Sequence, residues 1–211
     1  SSATFDNCAS ATASTTSGAP VTPGADACAP MTIRSTSIDG SSSKTWTGPA
    51  VEGQGSPVTA AIRATNGWSL PVHQMVFTEP STSGTTDFDV FDVDSITLAY
   101  PSTTSNATVV VTYADSTTST ISGTPAALGT APIPIASGTA GRVTSIVVTY
   151  TGGSDTEPTL ASGTTGGIDL NGVLNDGATA GTVENCGDVS MTARAGITPY
   201  GNRPCGSLPV D

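Results

Sequence analysis

The feature that most narrows the fold of this chain is an alternation of apolar and polar residues. It recurs in short runs and never lengthens into a helical period. Ala107-Thr-Val109-Val110-Val111-Thr-Tyr113 and Arg142-Val143-Thr-Ser-Ile146-Val147-Val148-Thr-Tyr150 are the clearest cases, two β-branched runs that each end in tyrosine. Val58 to Thr65 is another, closed by the turn dipeptide Asn66-Gly67, and His73 to Thr78 stops at Glu79-Pro80. Met31-Thr-Ile33-Arg34 alternates until Ile38-Asp39-Gly40 and a serine run break the pattern. Asp87 to Tyr100 reads as two short strands, with a slip of phase between Val90 and Phe91 that predicts a bulge or tight bend. Thr124 to Ala140 is rich in Pro, Ala and Gly and reads as an extended loop or edge strand. Thr182–Cys186 and Val189–Ala195 are expected to close the fold. About eight to ten short strands at regular spacing predict an all-β chain, an antiparallel immunoglobulin-like β-sandwich.

Charge removes several functions. Six basic residues face seventeen acidic ones, a formal net charge of −11, and Lys44 is the only lysine. Phosphate binding needs clustered Lys and Arg, so nucleic acid is not an expected partner. The apolar runs are a handful of residues long, too short for a helical bilayer crossing, and no membrane insertion is expected in this segment. A chain of 211 residues has room for a proper core, so no cofactor is expected to hold it together. Ser1 to Ser17 lacks the basic start and apolar centre of a signal peptide, so any targeting segment is expected to be removed or upstream.

Cys8, Cys28, Cys186 and Cys205 are spaced too widely for zinc knuckles, and His73, the single histidine, cannot complete a ligand set. An even count at paired spacing reads as two disulfides formed in an oxidising compartment. An internal repeat suggests the pairing. Thr4-Phe5-Asp6-Asn7-Cys8 lines up with Thr182-Val183-Glu184-Asn185-Cys186, and Cys28-Ala29-Pro30 parallels Cys205-Gly206-Ser207-Leu208-Pro209. Between them Val21-Thr22-Pro23-Gly24 resembles Ile197-Thr198-Pro199-Tyr200-Gly201. The simplest pairing keeps each bridge within its own copy, Cys8 with Cys28 and Cys186 with Cys205. Each would close a loop worth roughly 3 kcal/mol by chain entropy. Residues 1–30 are then expected to be a disulfide-closed tail resembling the end of one repeat. Residues 31–211 are the next module, itself ending in a disulfide-closed segment, in a bead-on-string array.

Val58 to Pro80 resembles the conserved-repeat modules known as domain of unknown function eleven, from large Gram-positive surface proteins. The residues that carry the likeness are Ala64-Thr65-Asn66, the turn with Pro71, and the second aliphatic strand ending at Glu79-Pro80. Thr182-Val183-Glu184-Asn185-Cys186 resembles the strand with Asn that ends such modules, although the cysteine-stapled tail departs from the family. The Thr/Ser/Gly/Ala style of the chain looks actinobacterial. The resemblance implies an immunoglobulin-like spacer or adhesive unit on the cell wall, with no catalytic residues.

Four sets of residues merit testing as sites. Asp87, Asp89, Asp92 and Asp94 near the expected bend are candidate calcium ligands, although charge on a strand's solvent face explains them as well. Trp46 and Trp68, if exposed together, are a candidate sugar platform; buried separately, they are core residues. His73 has no Gly-x-Ser-x-Gly elbow to serve and reads as structural. Lys44 reads first as a surface residue. Its sharper alternative is the internal Lys–Asn isopeptide bond, promoted by a buried acid, that many pilus and adhesin domains carry. The functional expectation is a non-catalytic structural or adhesive module of a secreted, repetitive bacterial surface protein: a stalk, an adhesin, or a filament or surface-layer subunit. Its expected location is the cell surface or cell wall. Expected partners are neighbouring repeats, a second copy, or a host or surface glycan, and the alternative is a carbohydrate- or calcium-dependent binding module.

Overall fold

The computed structural model describes residues 3–10, 15–18, 26–33, 37–48, 50, 55–82, 87–135 and 140–211. Two compact units divide the chain, Ser1–Thr36 and Ser37–Asp211. The first is a hairpin of β1 (Ala3–Ala9) and β2 (Ala27–Ile33), paired antiparallel so that Cys8 lies opposite Cys28. A disulfide joins those two cysteines. The Val21–Gly24 part of the internal repeat lies outside the described residues.

The second unit opens with β3 (Gly40–Thr47), β4 (Pro57–Asn66) and β5 (Gln74–Glu79). A 3₁₀ turn at Asp87–Val90 leads into β6 (Phe91–Ala99), followed by β7 (Asn106–Tyr113) and β8 (Thr118–Gly123). A single helical turn, α1 (Pro125–Leu128), is capped by the Thr124 side chain, which accepts from the Ala127 amide. Then come β9 (Ile133–Pro134), β10 (Val143–Thr151) and β11 (Thr165–Leu174). The remaining strands are β12 (Gly181–Cys186), β13 (Asp188–Thr192), β14 (Tyr200–Asn202) and β15 (Cys205–Val210).

Six strands form one sheet in the order β14-β13-β5-β10-β7-β8, and five form the other in the order β3-β4-β11-β6-β9. Every named strand pair is antiparallel. The architecture is an antiparallel β-sandwich of immunoglobulin-like build, stapled by disulfides in its terminal segments. Alternation supplies the core. Met75 and Phe77 of β5, Val109 and Val111 of β7, and Ile146, Val148 and Tyr150 of β10 point inward from the larger sheet. Ile62, Ile96, Ile168 and Leu170 meet them from the smaller one. A separate two-stranded ladder pairs β12 with β15, bringing Cys186 opposite Cys205, and those cysteines form the second disulfide. Both disulfides join the cysteines that the repeat paired.

Several expectations need correction. The Ser-rich stretch after Gly40 is not a break but β3, a sheet-edge strand paired with β4 throughout its length. Asp169-Leu170-Asn171-Gly172 lies inside β11 between β4 and β6 despite its turn-favouring residues. Glycine and small polar residues weaken strand propensity, but hydrogen bonding on both sides and burial of Ile168, Leu170 and Leu174 override it. Asp87 to Tyr100 holds one strand rather than two, and the slip between Val90 and Phe91 marks where the 3₁₀ turn gives way to β6.

Candidate functional site

The site follows from side-chain parity on three strands. Along β3 the inward face carries Gly40, Ser42, Lys44 and Trp46. On β5 the inward face carries Met75, Phe77 and then Glu79, so an acid arrives in phase with the core. On β12 Val183 and Asn185 face in while Glu184 faces out. One lysine, one glutamate and one asparagine are therefore delivered to a common interior point from β3, β5 and β12.

There the three make direct contact. Lys44 Nζ donates to Glu79 Oε1 at 2.6 Å and to Asn185 Oδ1 at 2.7 Å. The side chains of Lys44 and Glu79 have no solvent exposure, and Asn185 is wholly buried. Glu79 Oε2 and Asn185 Nδ2 are both buried at this point. Burial pushes the Lys44 amine below its ordinary pKa, against the pull of Glu79. It pushes the Glu79 carboxyl above the usual carboxylate range, against the pull of Lys44. Both shifts favour the uncharged forms, a free amine and a carboxylic acid.

Two glycines let the elements close on this point. A Cβ on Gly187 would lie 2.5 Å from Glu79 Oε2 and 2.6 Å from Ile62 Cδ1. Gly206, opposite Asn185 on β15, packs against Lys44, and a Cβ there would be 3.1 Å from the Lys44 carbonyl oxygen. Trp46 Nε1 donates to the Gly206 carbonyl at 3.2 Å, tying β15 to β3. Backbone bonds hold the acid's neighbourhood: Ser81 N to Cys186 O at 2.6 Å and Gly187 N to Pro204 O at 3.0 Å. Asp188 fixes the chain just beyond Glu79 by accepting from Ser81 Oγ and from the amide and hydroxyl of Thr82.

The chemistry open to this group is amide exchange. A neutral lysine amine is a nucleophile, and the Asn185 carbonyl carbon is the electrophile next to it. A protonated Glu79 can polarise the carbonyl oxygen and carry a proton to the leaving nitrogen. The Nζ–Cγ bond forms, the Cγ–Nδ2 bond breaks, ammonia departs, and Glu79 returns to its starting state. The product replaces a buried, poorly solvated amine with a neutral amide, which removes most of the desolvation cost of Lys44.

Lys44 is thus a core residue, which corrects its reading as a surface side chain. Glu79 and Asn185 carry the site although the sequence reading named them only as a strand stop and a repeat residue. The signals were there: Glu79 is in phase with Met75 and Phe77, and Asn185 recurs as Asn7. The other candidates are dispersed. Asp89 pairs with Arg142 at 2.6 Å on the surface, Asp92 accepts from Asn175 Nδ2 at 3.2 Å, and Asp94 is exposed. The Asp87 side chain lies outside the described residues. Among the described residues the one cluster with metal-ligand spacing is Glu184 with Cys186 and Cys205, whose sulfurs are already bonded to each other. Trp46 stacks edge-to-face on Phe91 at 5.0 Å, whereas Trp68 is buried in the core beside the Asn66 turn, so the two form no shared platform. His73 is half-buried just before β5, its amide bonded to Thr192 O. Among the described residues no helix is long and apolar enough to cross a membrane.

No protein-family model matches the sequence, and no curated protein does. Solved structures similar to the chain include the full-length major pilin SpaD from Corynebacterium diphtheriae, at 13% identity and a TM-score of 0.44, covering 81% of this chain. The chain spans 35% of that pilin's length. Domains D2 and D3 of the same pilin match at 15% identity and a TM-score of 0.42, over 80% of this chain and 52% of that one. The C-terminal domain of the AgI/II polypeptide BspA from Streptococcus agalactiae matches at 12% identity and a TM-score of 0.35, over 99% of this chain and 58% of that one.

Proposed function

We propose that this chain is a load-bearing module of a secreted bacterial surface protein, locked by an isopeptide bond between Lys44 and Asn185 that Glu79 promotes. The observation that carries the reading is the buried Lys44 Nζ, 2.6 Å from a carboxylate and 2.7 Å from an amide oxygen. The bond would join the first strand of the sandwich unit to one of its last, leaving 141 residues of sequence separation inside a covalent loop. Tension entering at residue 37 would pass from Lys44 to Asn185, cross the adjacent Cys186–Cys205 bridge, and leave along β15. The strands between the two linked residues, β4 to β11, would carry none of it. The fold would then be a spacer or stalk unit at the cell surface, without catalysis on any external substrate.

Intact mass of the purified chain tests this. The expected mass is one ammonia below that of the disulfide-bonded sequence, with a branched Lys44–Asn185 peptide after digestion. Full mass with both residues unmodified refutes it.

A further inference from the structure

The hairpin of the first unit repeats the construction of the hairpin that delivers Asn185, rung for rung. β1 and β2 pair Cys8 with Cys28, Asn7 with Ala29, Asp6 with Pro30 and Phe5 with Met31. β12 and β15 pair Cys186 with Cys205, Asn185 with Gly206, Glu184 with Ser207 and Val183 with Leu208. Each has a disulfide on the rung beside an asparagine, an acid before that asparagine, and an apolar pair two rungs away. Strand alternation places Asn7 and Met31 on one face of the first hairpin, as it places Asn185, Val183 and Leu208 on one face of the second.

The surroundings of the two hairpins are opposite. Val183 and Leu208 are buried and Asn185 is fully enclosed. Asn7 is exposed, and Met31 is the one large apolar residue exposed among the described residues, at 55%. Asn7 and Met31 are thus exposed where their counterparts Asn185 and Leu208 are enclosed. Within this chain the amine is already engaged, because Lys44 is the only lysine and it contacts Asn185.

We infer that residues 3–33 form the closing hairpin of another module of this architecture. Asn7 is then the acceptor of a second isopeptide bond, whose lysine and acid lie outside residues 37–211. The inference rests on the reading of Lys44, Glu79 and Asn185 as a bond-forming triad. Its partner is a β-sandwich with an inward lysine on an edge strand, a strand-end glutamate beside it, and an apolar slot for Met31. As in the first bond, the lysine Nζ attacks the Asn7 side-chain carbonyl carbon and Nδ2 leaves as ammonia, so no oxidant or cofactor is required. The hairpin would then bind two modules covalently in series, so that a tensile load passes between them without relying on non-covalent contacts.

The test is peptide mapping of the protein taken from its native source, digested and sequenced by mass spectrometry. The expected result is an Asn7 peptide one ammonia short and branched to a lysine other than Lys44. Unmodified Asn7 alongside a branched Lys44–Asn185 peptide overturns this inference and leaves the first bond standing; Asn7 linked to Lys44 of a second copy overturns both, because that amine is then not bonded to Asn185. If neither asparagine is linked, the triad reading fails and this inference falls with it.

Discussion

Asn185→Ala removes the electrophile but leaves Lys44 paired with Glu79, so it isolates the covalent bond from the buried charges. A crosslink stabilises chiefly by restricting the unfolded chain. With 141 residues inside the loop, the chain-entropy expression gives about 5 kcal/mol. For a domain of this size that corresponds to a melting temperature lower by about 10–20 °C in the variant. The mechanical difference is larger. Pulling on the chain ends should release no contour length from the locked loop in the wild type. The variant should unfold and release ~480 Å, the extended length of that segment. Thermal melting with disulfides intact and single-molecule force spectroscopy read the two effects. A wild type that also extends by this length, or a variant that melts with it, would refute the covalent shunt.

Glu79→Gln keeps the shape of the acid but removes its proton, so linkage during refolding should slow by about 10²–10⁴-fold, followed by mass spectrometry over time. In Asn185→Ala the Lys44 amine still titrates, below its ordinary value of 10.5 because of burial. Between the lowered pKa and 10.5 the unfolded chain binds more protons than the folded one, so stability rises with pH in that window. The stability gap to the linked wild type should therefore narrow as pH climbs toward 10.5, measured by urea unfolding; a gap that widens contradicts the burial of a free amine. Gly187→Ala should cost about 1–3 kcal/mol through overpacking against Glu79 and Ile62, and should lower the linked fraction. Reducing the Cys186–Cys205 bridge should remove about 3 kcal/mol in a melt while leaving the isopeptide mass unchanged.

Much of this fold is written locally. The β-branched alternation of residues 107–113 and 143–150 dictates strands wherever they land, because period two can bury one face only in an extended chain. The cysteine repeat was equally legible, since each pair closes a short loop within its own copy. What the sequence left undecided depends on long-range pairing. β3 and β11 are poor in strand formers and rich in Ser, Gly and Asn, and they are strands because β4 and β6 satisfy their backbone groups. The triad is the extreme case. Lys44 lies 35 residues from Glu79 and 141 from Asn185, with no spacing motif to connect them. The sequence by itself determined that the chain holds one lysine, an inward-phased glutamate and an asparagine before a paired cysteine. Only the packing of β3, β5 and β12 decided that the three meet in the interior, shielded from solvent, where burial shifts both pKa values toward the reactive forms.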